Sequence, residues 1–111
     1  MSDHVRLEPA RRIQIRAAGQ PIVDTARGVV VHEGSYPPRY YVPRDEVRAD
    51  IADGQGGASC PWKGLWKHLD LTVAGQRIGN AAWTYYAPTP GCESIRDFVA
   101  FYPDKCDITV E

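Results

Sequence analysis

With 111 residues, 43% of them hydrophobic and 24% charged, the chain is sized and composed for one globular domain around a single core, which excludes an intrinsically disordered segment or a miniprotein held by disulfides. Thirteen basic residues against fourteen acidic ones leave a net charge of −1, so no broad positive field is available to draw nucleic acid or anionic lipid, and nucleic acid is set aside as a partner. Charges run through Met1 to Arg16 and no stretch approaches the ~18 apolar residues of a membrane span, an argument for a cytoplasmic protein with no membrane partner.

The first strand is read where Ile13 and Ile15 alternate with Arg12, Gln14 and Arg16, ending at Ala18-Gly19-Gln20. Residues 1–19 are therefore taken as an N-terminal extension with that strand, and residues 20–111 as a single β-rich domain. Pro21 to Asp24 and Gly28 to Glu33 flank Thr25-Ala26-Arg27 and read as a hairpin, the run Val29-Val30-Val31 suiting a strand covered on both faces. Gly34 to Pro38 breaks the pattern and Arg39-Tyr40-Tyr41-Val42 resumes it. The following Pro43-Arg44-Asp45-Glu46-Val47 can start one helical turn, with Pro at a first helical position and acids behind it.

Asp53 to Ser59, rich in glycine and small residues, reads as a loop. Leu65 to Val73 alternates, with Trp66, His68, Asp70 and Thr72 sharing a face. A turn at Ala74-Gly75 returns the chain through Arg77 to Tyr86, which makes Trp66, His68, Trp83 and Tyr85 neighbours. Ile95 to Tyr102, with Val99 and Phe101 on one side and Phe98 and Ala100 on the other, describes a central strand, and Cys106 to Val110 a last one. The expectation is a mainly β fold: a small antiparallel barrel or sandwich-like roll of seven to eight short strands with at most a short helical turn. Short strands leave edges on which a homo-oligomer can form.

Tyr40-Tyr41-Val42-Pro43-Arg44-Asp45-Glu46-Val47, Cys60-Pro61-Trp62-Lys63-Gly64, Ala82-Trp83-Thr84-Tyr85 with Pro88, and Phe101-Tyr102-Pro103-Asp104 occur in that order. Together, over roughly residues 20 to 110, they resemble the bacterial family called domain of unknown function 427. The resemblance implies a small single-domain β-rich protein, in a family sometimes labelled nucleotidyltransferase-like. The residues themselves do not support that label: there is no glycine-rich phosphate loop, and no Gly-Ser with paired acids. Trp66 stands where a small residue is usual in the family, and its indole can narrow a pocket.

Cys60-Pro61-Trp62-Lys63-Gly64 places a thiol three residues from an ammonium, so Cys60 is a candidate nucleophile and Lys63 a cation that favours its thiolate. The competing reading makes Cys60 a small buried apolar residue and Lys63 a solvated charge. His68 and Glu33 are the candidate general acid and base, or else a packed histidine and a solvated strand end. Tyr41, Arg44, Asp45, Lys63, Trp83 and Tyr85 are the candidate ligand-binding set, the cations for an anion and the rings for a planar group; the competing reading is surface pairing and core filling. The cysteines Cys60, Cys92 and Cys106 show no CxxC spacing and His4, His32 and His68 no metal-type spacing, so neither a metal site nor a cofactor is called. The function these residues suggest is binding of a small anionic or planar metabolite in a Cys/Lys/aromatic pocket. The alternatives are an enzyme of nucleotidyltransferase-like or thiol-dependent type and an interaction module without catalysis.

Overall fold

A computed structural model describes residues 4–111 as ten strands: β1 (Val5–Pro9), β2 (Ile13–Ala17), β3 (Gln20–Thr25), β4 (Val29–Glu33), β5 (Arg39–Val42), β6 (Asp50–Cys60), β7 (Gly64–Val73), β8 (Gln76–Pro88), β9 (Val99–Phe101) and β10 (Asp107–Val110). Short 3-10 turns at Arg44–Glu46 and Pro90–Ile95 interrupt them. The first is the turn expected behind Pro43. The second ends at Ile95, the expected start of the central strand, and that strand shrinks to Val99–Phe101.

All named strands pair antiparallel, in a seven-stranded sheet of order β1-β4-β5-β9-β8-β7-β6 and a three-stranded sheet of order β10-β2-β3. The mainly β, sandwich-like expectation holds, and the larger sheet does not close into a barrel. Between the sheets lie Ile13, Ile15, Ile22, Val42, Leu69, Leu71, Val99 and Phe101, all buried. Burial of this kind, at ~25 cal/mol per Å² of apolar surface, is what holds the two layers together.

The hairpin expected across Pro21 to Glu33 does not form. β3 pairs with β2 and β4 with β1 and β5, so the chain changes sheets at Thr25–Gly28. Polar contacts fix that corner: Thr25 Oγ1 donates to Glu46 Oε2 at 2.6 Å, and it accepts the Arg27 N–H at 2.9 Å. A Cβ on Gly28 would lie 2.2 Å from Ile13 Cδ1, so a larger residue there would have to displace the Ile13 side chain from β2.

Asp53 to Ser59 is also a correction, since it belongs to the edge strand β6. Pairing with β7 runs from Asp50↔Thr72 to Asp53↔Leu69 and resumes at Gly57↔Lys67, with a bulge between. Side chains hold the bulge: Asn80 Oδ1 accepts the Gln55 N–H at 2.8 Å and Asn80 Nδ2 donates to the Gln55 oxygen at 3.0 Å. Glycines here let the strand lie against β7; a Cβ on Gly57 would meet the Trp66 oxygen at 2.3 Å.

Candidate ligand-binding site

Strand alternation gives the larger sheet two faces with different work. Val30, Val42, Ala82, Val99 and Phe101 meet the smaller sheet. Val31, Tyr41, Trp83, Tyr85 and Ala100 point the other way, where no second sheet covers them. The cross-strand register lines up His68, Trp83, Ala100, Tyr41 and Val29 on this outer face. Ala100 is the small member of that row, which lets its larger neighbours meet over it. Trp83 Nε1 donates to Tyr41 Oη at 3.0 Å, with the two rings edge to face and their centroids 6.1 Å apart.

Above this aromatic floor is a cavity of about 330 Å³, walled by Val31, Glu33, Tyr36, Pro37, Arg39, Cys60, Lys63, Trp66, Tyr85 and Tyr102 together with Trp83. Its polar groups fall into two clusters. In the first, Lys63 Nζ lies 2.6 Å from Glu33 Oε1 and 5.2 Å from the centre of the Tyr85 ring, while Cys60 Sγ lies 3.9 Å from Glu33 Oε2. Glu33 ends β4; Cys60 and Lys63 flank the β6–β7 turn. The turn is pinned to β8, with the Thr89 N–H donating to the Lys63 oxygen at 2.9 Å and the Thr89 hydroxyl to the Trp62 oxygen at 2.9 Å.

The second cluster is Arg39, Tyr102 and His68. Arg39 Cζ lies 5.6 Å from the centre of the Trp83 ring, a cation–π contact that holds the guanidinium in the cavity. Tyr102 shares this part of the cavity, near enough for the Arg39 charge to act on its phenol. Tyr102 packs on Trp83 with ring centroids 4.5 Å apart, and its hydroxyl lies 2.9 Å from His68 Nε2. The other ring nitrogen of His68 contacts the Gln55 oxygen at 2.9 Å.

Burial pushes the phenols of Tyr41 and Tyr85 well above the ordinary tyrosine value, and it raises Tyr102 and the Cys92 thiol as well. The tyrosines are thus neutral hydroxyls throughout the physiological range, able to donate or accept but carrying no charge.

Of the residues singled out in the sequence, Glu33, Cys60, Lys63, Trp83 and Tyr85 share the cavity. Tyr41 is fully buried beneath it and meets its lining through Trp83 and Tyr85. His68 stands one residue back, behind Tyr102. Neither Glu33 nor Asp45 orients it; a backbone oxygen does. Arg44 and Asp45 lie apart, on the 3-10 turn after β5, where Asp45 pairs with Arg27 at 3.1 Å. His32 bonds Glu8 at 2.7 Å and does not line the cavity. Among the described residues no group of three or more His, Cys, Asp or Glu side chains is placed to hold a metal ion.

Sequence reasoning missed Arg39 and Tyr102. Alternation was the available signal, since Arg39 has the parity of Tyr41 and Tyr102 that of Ala100. Trp66 does stand in the wall, as its bulk at that position suggested.

Fold and site together define an all-β protein of two packed antiparallel sheets with an aromatic-floored cavity on the free face of the larger one. The chain belongs to the family described as domain of unknown function DUF427, whose model matches residues 6–111. Three of the four sequence stretches that carry the resemblance, around Cys60–Gly64, Ala82–Tyr85 and Phe101–Tyr102, contribute side chains to the cavity. A comparison with curated proteins found no match.

Proposed function

We propose that this protein binds a compact ligand that joins a planar ring to an anionic group, in the cavity on the outer face of the larger sheet. One observation carries the reading: Arg39 lines the cavity without a carboxylate partner among the described residues, while Lys63 is already neutralised by Glu33. An unpaired guanidinium fork matches a carboxylate or phosphate in geometry and charge. Half-buried Tyr102 and the largely buried Trp83 ring beside it give the cavity an aromatic wall on which a flat ring can pack. The cavity volume of 330 Å³ sits at the lower end of the usual ~300–1,000 Å³ for ligand pockets, which favours a small metabolite over an extended nucleotide. The glycines of residues 54–57 belong to the edge strand β6 and do not line the cavity, so they offer no cradle for a triphosphate there. In this reading the protein is cytoplasmic and its thiols are reduced.

Benzoate is the simplest probe. It should quench tryptophan fluorescence and raise Tm by mass action, and Arg39→Met should weaken binding about tenfold or more with the fold intact. If neither benzoate nor other ring carboxylates act on the wild type, the reading is wrong.

A thiol-dependent enzyme is the second reading, favoured by Cys60 Sγ lying 3.9 Å from Glu33 Oε2 at the cavity wall. Glu33 can take the thiol's proton as sulfur attacks an electrophile. Iodoacetamide should then alkylate Cys60 in the native protein, more slowly in Glu33→Gln; a native Cys60 that resists alkylation would remove the nucleophile.

A further inference from the structure

The direction of one hydroxyl hydrogen in the cavity follows from its neighbours. His68 Nδ1 faces the Gln55 backbone oxygen at 2.9 Å, and a carbonyl can only accept, so Nδ1 carries a hydrogen. In the neutral imidazole the other nitrogen is then a bare lone pair. Nε2 therefore accepts from Tyr102 Oη, 2.9 Å away, and the phenol's hydrogen points at His68. Gln55 is itself anchored on both sides by Asn80, at 2.8 and 3.0 Å, so the carbonyl that fixes the tautomer stays in place.

With its hydrogen turned to His68, Tyr102 presents only oxygen lone pairs to the cavity. Arg39, which lines the same cavity against Trp83, presents only N–H donors. The site is therefore an acceptor beside a cationic donor fork, both against the Trp83 ring. A plain ring carboxylate satisfies Arg39 and leaves the Tyr102 oxygen without a donor. A ring that also carries a hydroxyl or amino hydrogen satisfies both, whereas an ether oxygen at that spot sets lone pair against lone pair.

We propose that Tyr102, oriented by His68, is a specificity-determining acceptor that selects ring carboxylates bearing a second, hydrogen-donating substituent. The proposal rests on the reading of the cavity as a site for planar anions. Its substrate class is accordingly the hydroxylated or aminated aromatic acids. Tyr102 touches the ligand; His68 is a positioning residue that acts through it.

The test is a fluorescence or calorimetric titration at mildly alkaline pH with benzoate, the meta- and para-hydroxybenzoates and their methoxy counterparts. For at least one ring position the hydroxy acid should bind about tenfold more tightly than the methoxy acid. In Tyr102→Phe, checked for folding by circular dichroism, the ratio of hydroxy-acid to methoxy-acid affinity should fall to within about twofold, whatever the change in absolute affinity. His68→Phe frees the phenol hydrogen to donate inward and should turn the preference toward the ether. His68→Gln, whose amide oxygen can still accept, should keep the wild-type order. A wild type that binds benzoate but does not discriminate overturns the proposal and spares the parent reading. So does a preference that survives in Tyr102→Phe, since it would then be steric exclusion of the methyl group. Failure of every ring carboxylate to bind overturns both.

Discussion

Lys63 is nearly sealed from water, its side chain 9% exposed, and Glu33 beside it is 23% exposed. Taking two such charges out of solvent is repaid only because Nζ and Oε1 meet at 2.6 Å. Removing one partner strands the other. Lys63→Met should therefore destabilise the protein by about 3 kcal/mol in urea unfolding, and adding Glu33→Gln should recover a large part of that loss. Equal loss in the single and double variants would mean that packing of the lysine stem, rather than charge, is what matters at this position. The sequence shows Lys63 and Cys60 as a pair because three residues separate them. It does not show that Glu33, from a strand far along the chain, completes the cluster; that contact exists only because the ends of β4 and of the β6–β7 turn meet over the outer face. Arg44 misleads for the converse reason. It shares a motif with Tyr41 in sequence, yet the turn after Pro43 carries it off the strand and away from the cavity.

The element on which the first cluster depends is the tight connection from Cys60 to Gly64. Its Lys63 N–H closes onto the Cys60 oxygen at 3.3 Å, and Gly64 has φ of +115°. A Cβ there would sit 2.2 Å from the Ala87 oxygen on β8. Gly64→Ala thus combines a backbone conformation hostile to L side chains with a collision against main chain. It should cost at least about 2 kcal/mol in stability and, by shifting Lys63 and Cys60, should weaken ligand binding as well. A variant of wild-type stability would show that the turn relaxes without the glycine. β6, which enters this turn, was the element least legible in the sequence. Its glycines and small polar residues argue for a loop, and residues 54–56 do bulge out of register, but β7 supplies a full partner on one side and Asn80 satisfies the bulge from another strand. Pairing supplied by tertiary neighbours overrode local propensity. The β7–β8 hairpin was the opposite case. The Val73↔Gln76 pairing at its turn was readable from Ala74-Gly75. An irregularity between Leu69 and Leu71 then shifts the pairing so that Trp66 faces Tyr85 and His68 faces Trp83. The four side chains remain neighbours because the shift is even and preserves the face.

At the scale of the molecule, alternation made the two-faced sheet legible and left the number of sheets undetermined, since parity says which residues share a face but not which strands share a ladder. Once the two layers are packed, stability depends on polar contacts that differ in sign with pH. Asp70 is buried where β7 and β8 fall out of register; it accepts the Asn80 N–H at 2.7 Å and pairs with Arg77. The Asn80 N–H first and Arg77 second hold its carboxyl below the ordinary aspartate value. Bonds from His32 to Glu8, from Arg12 to Asp24 and from Arg96 to Glu93 act in the same direction. A carboxyl lowered in the fold binds its proton more readily in the unfolded chain, so its contribution is complete above the unfolded value near ~4 and disappears as pH falls through the folded one. Cys106 has the reverse sign: burial pushes its thiol up to about 11, so its contribution is complete below the unfolded value and is lost as pH rises from there through the folded one. The midpoint of urea unfolding should accordingly hold steady near neutrality, fall below about pH 4 and fall again above about pH 9. Asp70→Asn keeps an oxygen for the Asn80 N–H and removes the titration. It should lower the neutral plateau and flatten the acid limb while leaving the alkaline limb unchanged; an acid limb as steep as that of the wild type would transfer the acid sensitivity to the surface pairs.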